Sequence, residues 1–287
     1  MSAPFAEPLP GEHENIIGAS VWRVIAGDGP PLLLLHGIPT SSYLWRNVQR
    51  ALAARYRTIA PDLIGLGKSS AAPDGNVRLE HQAEMLLAML DVHGIERVTL
   101  VAHDIGGAVA HHFIAMHPDR VRALIVMNIA AFAASWPVPL VRAMRAPLLG
   151  DLGTLVPSTP LLRRELRRGL HHSDRMTSDV FEAYAAPLAG LAGRRRFLRF
   201  IRGMDAASAE RALHGYVDLD IPRLILWGES DLYQPIEWGR RLHELWKGST
   251  FVPIAEAGHF LQEDQPARIA AEIEAFLGAH GVGPSAP

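Results

Sequence analysis

The sequence predicts an α/β protein in which a mostly parallel sheet, flanked by helices, is interrupted by an inserted helical cap. Three observations carry this. Short apolar runs alternate with helix-period segments through the first half, as βαβ units require. From about Ala131 to Val217 no convincing strand occurs, and Pro, Leu, Ala and Arg dominate. Strand-like runs resume at Arg223, so two stretches of sheet flank one inserted block. The expected division is a first core segment over 1–130, a helical cap over 131–217 and a second core segment over 218–287.

The elements follow in order. Ser20 to Ile25 alternates like an edge strand, and Pro31 to Leu35 is an apolar run of strand length. Arg57 to Ala60, Val98 to Val101 and Ala123 to Val126 read as further strands. Between them, Met85, Leu86, Met89 and Leu90 share one face of a helix over Glu80 to His93. Arg223 to Trp227 and Phe251 to Ile254 complete the sheet, and a last helix runs from about Ala267 to Leu277. The cap is basic: Ala133 to Tyr216 holds 13 Arg against 7 Asp or Glu, a balance of +6 that leaves −8 elsewhere. Such charges ordinarily form a solvated helix face; a role in guiding anions is the sharper alternative.

Composition narrows the function classes. At 287 residues the chain can bury one large core and still carry an insertion. A formal net charge of −2 predicts no general attraction to nucleic acid or to an anionic membrane. The absence of cysteine excludes disulfides, zinc–thiolate sites and thiol catalysis. Met1 to Pro10 lacks the basic patch and apolar run of a signal peptide, and no apolar stretch is long enough to span a bilayer. The expectation is a cytoplasmic monomer or homodimer that needs no metal and no cofactor.

The chemistry is concentrated in four segments. Ala102-His103-Asp104-Ile105-Gly106 has the small-x-nucleophile-x-small form of a nucleophile elbow, with Asp104 at the turn between strand and helix. Taken alone, it is also an ordinary surface turn with an acidic helix cap. His36-Gly37-Ile38-Pro39 ends an earlier strand, where the backbone N–H of Ile38 can face the same point as that of Ile105 and form an oxyanion hole. Asp231 follows one late strand and His259 the next. The chain order nucleophile, acid, histidine is that of a hydrolase triad on an α/β sheet.

The whole chain resembles the α/β-hydrolase superfamily, in its branch of haloalkane dehalogenases and epoxide hydrolases with an Asp nucleophile. His36-Gly-Ile-Pro-Thr-Ser-Ser-Tyr-Leu-Trp-Arg is similar to a haloalkane dehalogenase segment. Ala60-Pro-Asp-Leu-Ile-Gly-Leu-Gly-Lys-Ser and His117-Pro-Asp-Arg-Val resemble structural stretches of the family, which removes Asp62 and Asp119 from the candidates. The resemblance implies the α/β-hydrolase fold and catalysis by Asp104, His259 and Asp231. It also exposes departures. The Trp that follows the nucleophile in haloalkane dehalogenases is Ile105 here, and their Asn in the His-Gly-x-Pro loop is Ile38, so both side-chain halide donors are missing. Fluoroacetate dehalogenases carry an Arg after the nucleophile, which this chain lacks. Asn128 occupies the place from which some relatives supply the acid, and an amide cannot be the anionic partner.

A carboxylate nucleophile is ionised at neutral pH and can displace a leaving group from saturated carbon, giving an alkyl ester that water then hydrolyses. An ordinary acyl ester would instead give a mixed anhydride. The substrate expected is therefore a small hydrophobic electrophile. The missing halide donors favour an epoxide; haloalkane dehalogenation, lactone-type hydrolysis and a non-enzymatic ligand receptor are the alternatives. Epoxide opening needs an acid from the cap, for which Tyr184, Tyr216, His171 and His172 are candidates, although each is also an ordinary packing or surface residue. His36, Pro39, His103, Trp136 and Phe260 are expected around the pocket, with apolar packing as the plain alternative for Trp136, Phe132 and Phe260.

Overall fold

The computed structural model describes residues 7–136, 139–156 and 159–283. Of the N-terminal stretch and the cap discussed above, residues 1–6, 137–138 and 157–158 lie outside these. The strands are β1 (Gly11–Ile16), β2 (Ala19–Ala26), β3 (Pro31–Leu35), β4 (Arg57–Pro61), β5 (Val98–His103), β6 (Val121–Met127), β7 (Arg223–Gly228) and β8 (Thr250–Ile254). They form one eight-stranded sheet in the order β1-β2-β4-β3-β5-β6-β7-β8. The pairs β1–β2 and β2–β4 are antiparallel, and every later pair is parallel. Continuous apolar runs make the central strands because both faces are covered: every residue of β5 and β7 is buried. The run at Ser20 is not the edge, as its alternation predicts. β1 lies outside it, pairing through the Ile17–Gly18 turn, where both residues have positive φ.

The helices before the insertion are α1 (Arg46–Leu52), α2 (Leu79–Val92) and α3 (Ile105–Met116). Between β6 and β7 lie α4 (Pro139–Arg145), α5 (Leu149–Gly153), α6 (Thr159–Arg168), α7 (Ser178–Ala185), α8 (Gly190–Gly203) and α9 (Ala206–His214). The chain closes with α10 (Ile236–Leu245), α11 (Leu261–Asp264) and α12 (Pro266–Ala279). One face of the sheet is covered by α2, α3 and α10, through residues such as Leu86, Val109, Phe113 and Leu242. The other face is covered by α1 and α12, through Val48, Leu52, Ile269 and Ile273. A third apolar cluster joins Leu166, Val180 and Phe181 of the insertion to Leu44 and Phe260 of the core.

The insertion does not act as cap along its whole length. Ala209 and Leu213 of α9 bury into the main core, and Ser208 reaches His112 on α3 at 3.0 Å. The last turns before β7 therefore belong to the layer under the sheet, earlier than residue 217. Among the described residues, no helix is long and apolar enough to cross a membrane.

The strand order also fixes where a site can form. After β3 the chain moves outward to β4 and then returns to lay β5 on the other side of β3. The carboxyl ends of β3 and β5 therefore part in opposite directions and open a crevice at the topological switch point. The loop His36–Pro39 leaves β3 there, and Asp104 leaves β5 beside it.

Candidate active site

Asp104 sits at φ 50° and ψ −121°, a left-handed conformation that a side-chain-bearing residue adopts only under constraint. The constraint is the immediate reversal from β5 into α3. It requires glycine at two neighbours: a Cβ on Gly106 would lie 2.5 Å from the Leu35 carbonyl oxygen, and one on Gly37 only 2.3 Å from Asp104 Oδ1. The Ile38 N–H donates to Asp104 Oδ1 at 2.8 Å, and the Ile105 N–H at the start of α3 also bonds the carboxylate. Burial raises the Asp104 pKa above the ordinary carboxylate value; His259 and the two N–H donors pull against it.

His259 stands on the loop after β8. Its Nδ1 is 2.8 Å from Asp231 Oδ2, and its Nε2 is 3.6 Å from Asp104 Oδ2. With Nδ1–H directed at a carboxylate, Nε2 is left as the acceptor that faces Asp104. Burial alone would lower the imidazole pKa, but the charges of Asp231 and Asp104 outweigh it and raise the value. Asp231 is held in turn: its Oδ1 accepts the N–H groups of Tyr233 at 2.7 Å and Gln234 at 2.9 Å. Asn128 ties three loops together. Its amide donates to the carbonyls of Gly258 at 2.9 Å and His259 at 3.1 Å, and its Oδ1 accepts Gly228 N–H at 2.9 Å. Glu256, the other acid near the histidine, is exposed.

Asp104 and His259 open into a cavity of about 480 Å³ between the sheet and the inserted helices. Pro39, Trp136 and Phe260, expected around the pocket, line it, together with Ile38 and Ile105, whose backbone N–H groups are the expected oxyanion donors. Trp136 contributes only its ring, because its indole N–H is committed to the Ala130 carbonyl at 2.8 Å. Four expected residues are elsewhere. His36 is buried behind the loop, donating from Nδ1 to the Gly37 carbonyl and accepting the Leu63 N–H at Nε2. His103 lies beneath His259 and donates to its carbonyl oxygen at 2.8 Å. Tyr216 is buried in the core against His111, their polar atoms 2.7 Å apart.

Tyr184 corrects the expectation of a cap proton donor most clearly. Its hydroxyl donates to Glu263 at 2.5 Å, inside a buried pair in which Arg46 grips the same carboxylate at 2.6 and 2.8 Å. It fastens α7 to the core and does not line the cavity. Replacing Tyr184 by Phe should leave turnover close to that of the parent enzyme while lowering stability by about 2 kcal/mol, the usual worth of a hydrogen bond to a charged group. Parallel denaturation and activity measurements check this, and a selective loss of activity would contradict it. His171 is likewise turned away, its Nδ1 2.9 Å from Ser230 Oγ, and both His171 and His172 use their backbone N–H on Asp264.

The phenol that does line the cavity is Tyr233. Its ring meets His259 edge-on at 5.4 Å, and its hydroxyl donates to the Glu165 carbonyl at 2.8 Å, with the Glu165 carboxylate at 3.1 Å. Burial and Glu165 raise its pKa, so it remains protonated at neutral pH. It lies on the core loop after β7, outside the cap in which the sequence places the donor. Its place two residues beyond Asp231 was the available signal.

Comparison with known proteins agrees with this architecture. Residues 30–156 match the family model for the alpha/beta hydrolase fold. A haloalkane dehalogenase of Mesorhizobium japonicum is 31% identical over 91% of this chain and 89% of its own length. A cis-3-alkyl-4-alkyloxetan-2-one decarboxylase of Shewanella oneidensis is 28% identical over 91% of this chain and 86% of its own. The crystal structure of a haloalkane dehalogenase from Bradyrhizobium elkani superposes with a TM-score of 0.83 at 28% identity, covering 95% of this chain and 98% of that one. With this sheet, this elbow and these relatives, the chain is an α/β hydrolase and belongs to the branch that includes the haloalkane dehalogenases.

Proposed function

We propose that the protein hydrolyses a small hydrophobic epoxide through an ester of Asp104. The observation that carries this is the content of one apolar cavity: a carboxylate facing His259 and a protonated phenol on the same wall, with no N–H on the side chains at 38 and 105. Ile38 N–H holds Oδ1, so Oδ2 is the oxygen left to attack. Attack on an epoxide carbon breaks the ring C–O bond, and the Tyr233 hydroxyl turns from the Glu165 carbonyl, to which it donates at 2.8 Å, to give the alkoxide its proton; an alkoxide is basic enough to take it even from a phenol of raised pKa. Esterification removes the charge of Asp104, one of the groups that raise the His259 pKa, and so leaves more of the imidazole in its neutral, proton-accepting form. His259 then deprotonates water, which attacks the ester carbonyl while the N–H groups of Ile38 and Ile105 hold the oxyanion. Collapse expels the diol, which takes the proton from His259. The proton left on the new carboxyl restores the phenol.

The relatives named as haloalkane dehalogenases share the scaffold, but a departing halide would find the Trp136 N–H engaged and isoleucines at the two donor places. A strained lactone is the second reading. Opened at its saturated carbon, it releases a carboxylate that needs no donor, and the relative from Shewanella oneidensis is named for an oxetan-2-one. Parallel assays of diol, halide and carbon dioxide release on epoxides, bromoalkanes and oxetan-2-ones distinguish the three. Diol formation is expected; halide or carbon dioxide release with no diol would sink the epoxide reading. Tyr233→Phe should slow ring opening about 100-fold, the ordinary contribution of a positioned acid, and leave ester hydrolysis unchanged. Unaltered single-turnover opening would remove Tyr233 from the mechanism.

A further inference from the structure

The net charge near zero conceals a surface of a different kind on the insertion. Leu148, Leu149, Leu152, Leu155 and Val156 are each between 56% and 76% exposed, clustered in and beside α5. Scattered exposed leucines need no explanation, but five within nine residues form a patch. Leu149 and Val156 also line the cavity that holds Asp104, so the patch is continuous with its wall. A basic edge adjoins it. Leu191, Arg195, Arg199 and Arg202, at i, i+4, i+8 and i+11, share one exposed side of α8. Arg202 fastens that side to α5 through Asp151 at 2.9 Å, and Arg194 reaches the Thr154 carbonyl at 2.6 Å. Arg195 and Arg199 form no salt bridge among the described residues.

We propose that this face of the insertion docks on an anionic lipid surface, with the α5 leucines entering the apolar boundary and the α8 arginines meeting the headgroups. Apolar tips beside a basic edge are the arrangement that binds such an interface. A second copy presenting the same face would bring its arginines against these, so charge complementarity favours lipid over self-association. An apolar substrate dissolved in the lipid would then reach the cavity without crossing water. Co-sedimentation of the full chain with phosphatidylcholine vesicles, with and without phosphatidylglycerol, tests the docking independently of the reaction. Binding is expected to need the anionic lipid and to fall with salt. It should weaken about tenfold or more in Leu152→Asp/Leu155→Asp and, separately, in Arg195→Glu/Arg199→Glu. These side chains are exposed and lie off the cavity wall, and intact basal activity on a soluble substrate confirms that the variants fold. A parent protein that pellets with no vesicle, or no better than either variant, overturns the proposal. If it pellets with none and is instead a dimer that Leu152→Asp/Leu155→Asp dissociates, the patch belongs to a second copy.

Discussion

His259→Gln should give a protein that is alkylated once and then stops. Ring opening needs Asp104 and a proton donor, whereas ester hydrolysis needs a base for water, and Nε2 is the acceptor within 3.6 Å of Asp104. Glutamine has comparable bulk but no basic nitrogen, so the cavity is kept and only the second step is lost. Steady-state turnover should fall on the order of 10⁴-fold or more. Intact-protein mass spectrometry should show a single adduct of substrate mass, carried by the peptide that contains Asp104. An unmodified variant, incubated with a substrate the parent turns over, would contradict this division of labour.

Asp231→Asn should slow hydrolysis of the ester by about 10³- to 10⁴-fold while sparing its formation. The 2.8 Å contact to His259 Nδ1 fixes the tautomer and stabilises the imidazolium that forms when water is deprotonated. Asparagine keeps an acceptor for the Tyr233 and Gln234 N–H groups but removes the charge, and it can turn an amide N–H toward Nδ1 and so favour the wrong tautomer. Part of what raises the His259 pKa is the Asp231 charge, so the pH at which hydrolysis reaches half its maximum should move down in the variant. The single-turnover rates of adduct appearance and decay, followed against pH, separate these effects. Equal slowing of both phases would mean that Asp231 acts on the fold and not on the histidine.

Legibility in the sequence tracked how local the physics is. The elbow could be read because the reversal into α3 demands small residues at fixed places around Asp104, and the buried strands because both their faces are covered. β1 could not: Glu12, His13 and Glu14 are polar, and its pairing comes from β2 beyond the turn. Tyr184 and Tyr216 depart from the expected pocket for a related reason. A tyrosine in a cap sequence carries no mark of which wall it faces, and Tyr184 is decided by Glu263, 79 residues away. Tyr233 stands two residues beyond the acid, on a core loop and not in the cap where the donor is expected. Asn128 reads in sequence as an amide where an acid could stand, while its three bonds to Gly228, Gly258 and His259 form after distant strands are aligned.

Ester formation on Asp104 is tested most directly by a single turnover in heavy-oxygen water with enzyme in excess over an epoxide. In the proposed mechanism the first oxygen added to the product comes from the Asp104 carboxylate. The first diol should therefore carry light oxygen at the attacked carbon, while heavy oxygen enters the peptide containing Asp104 and reaches product only in later turnovers. Full labelling of the first diol from solvent, with no heavy oxygen in that peptide, would contradict the account and leave direct attack by water.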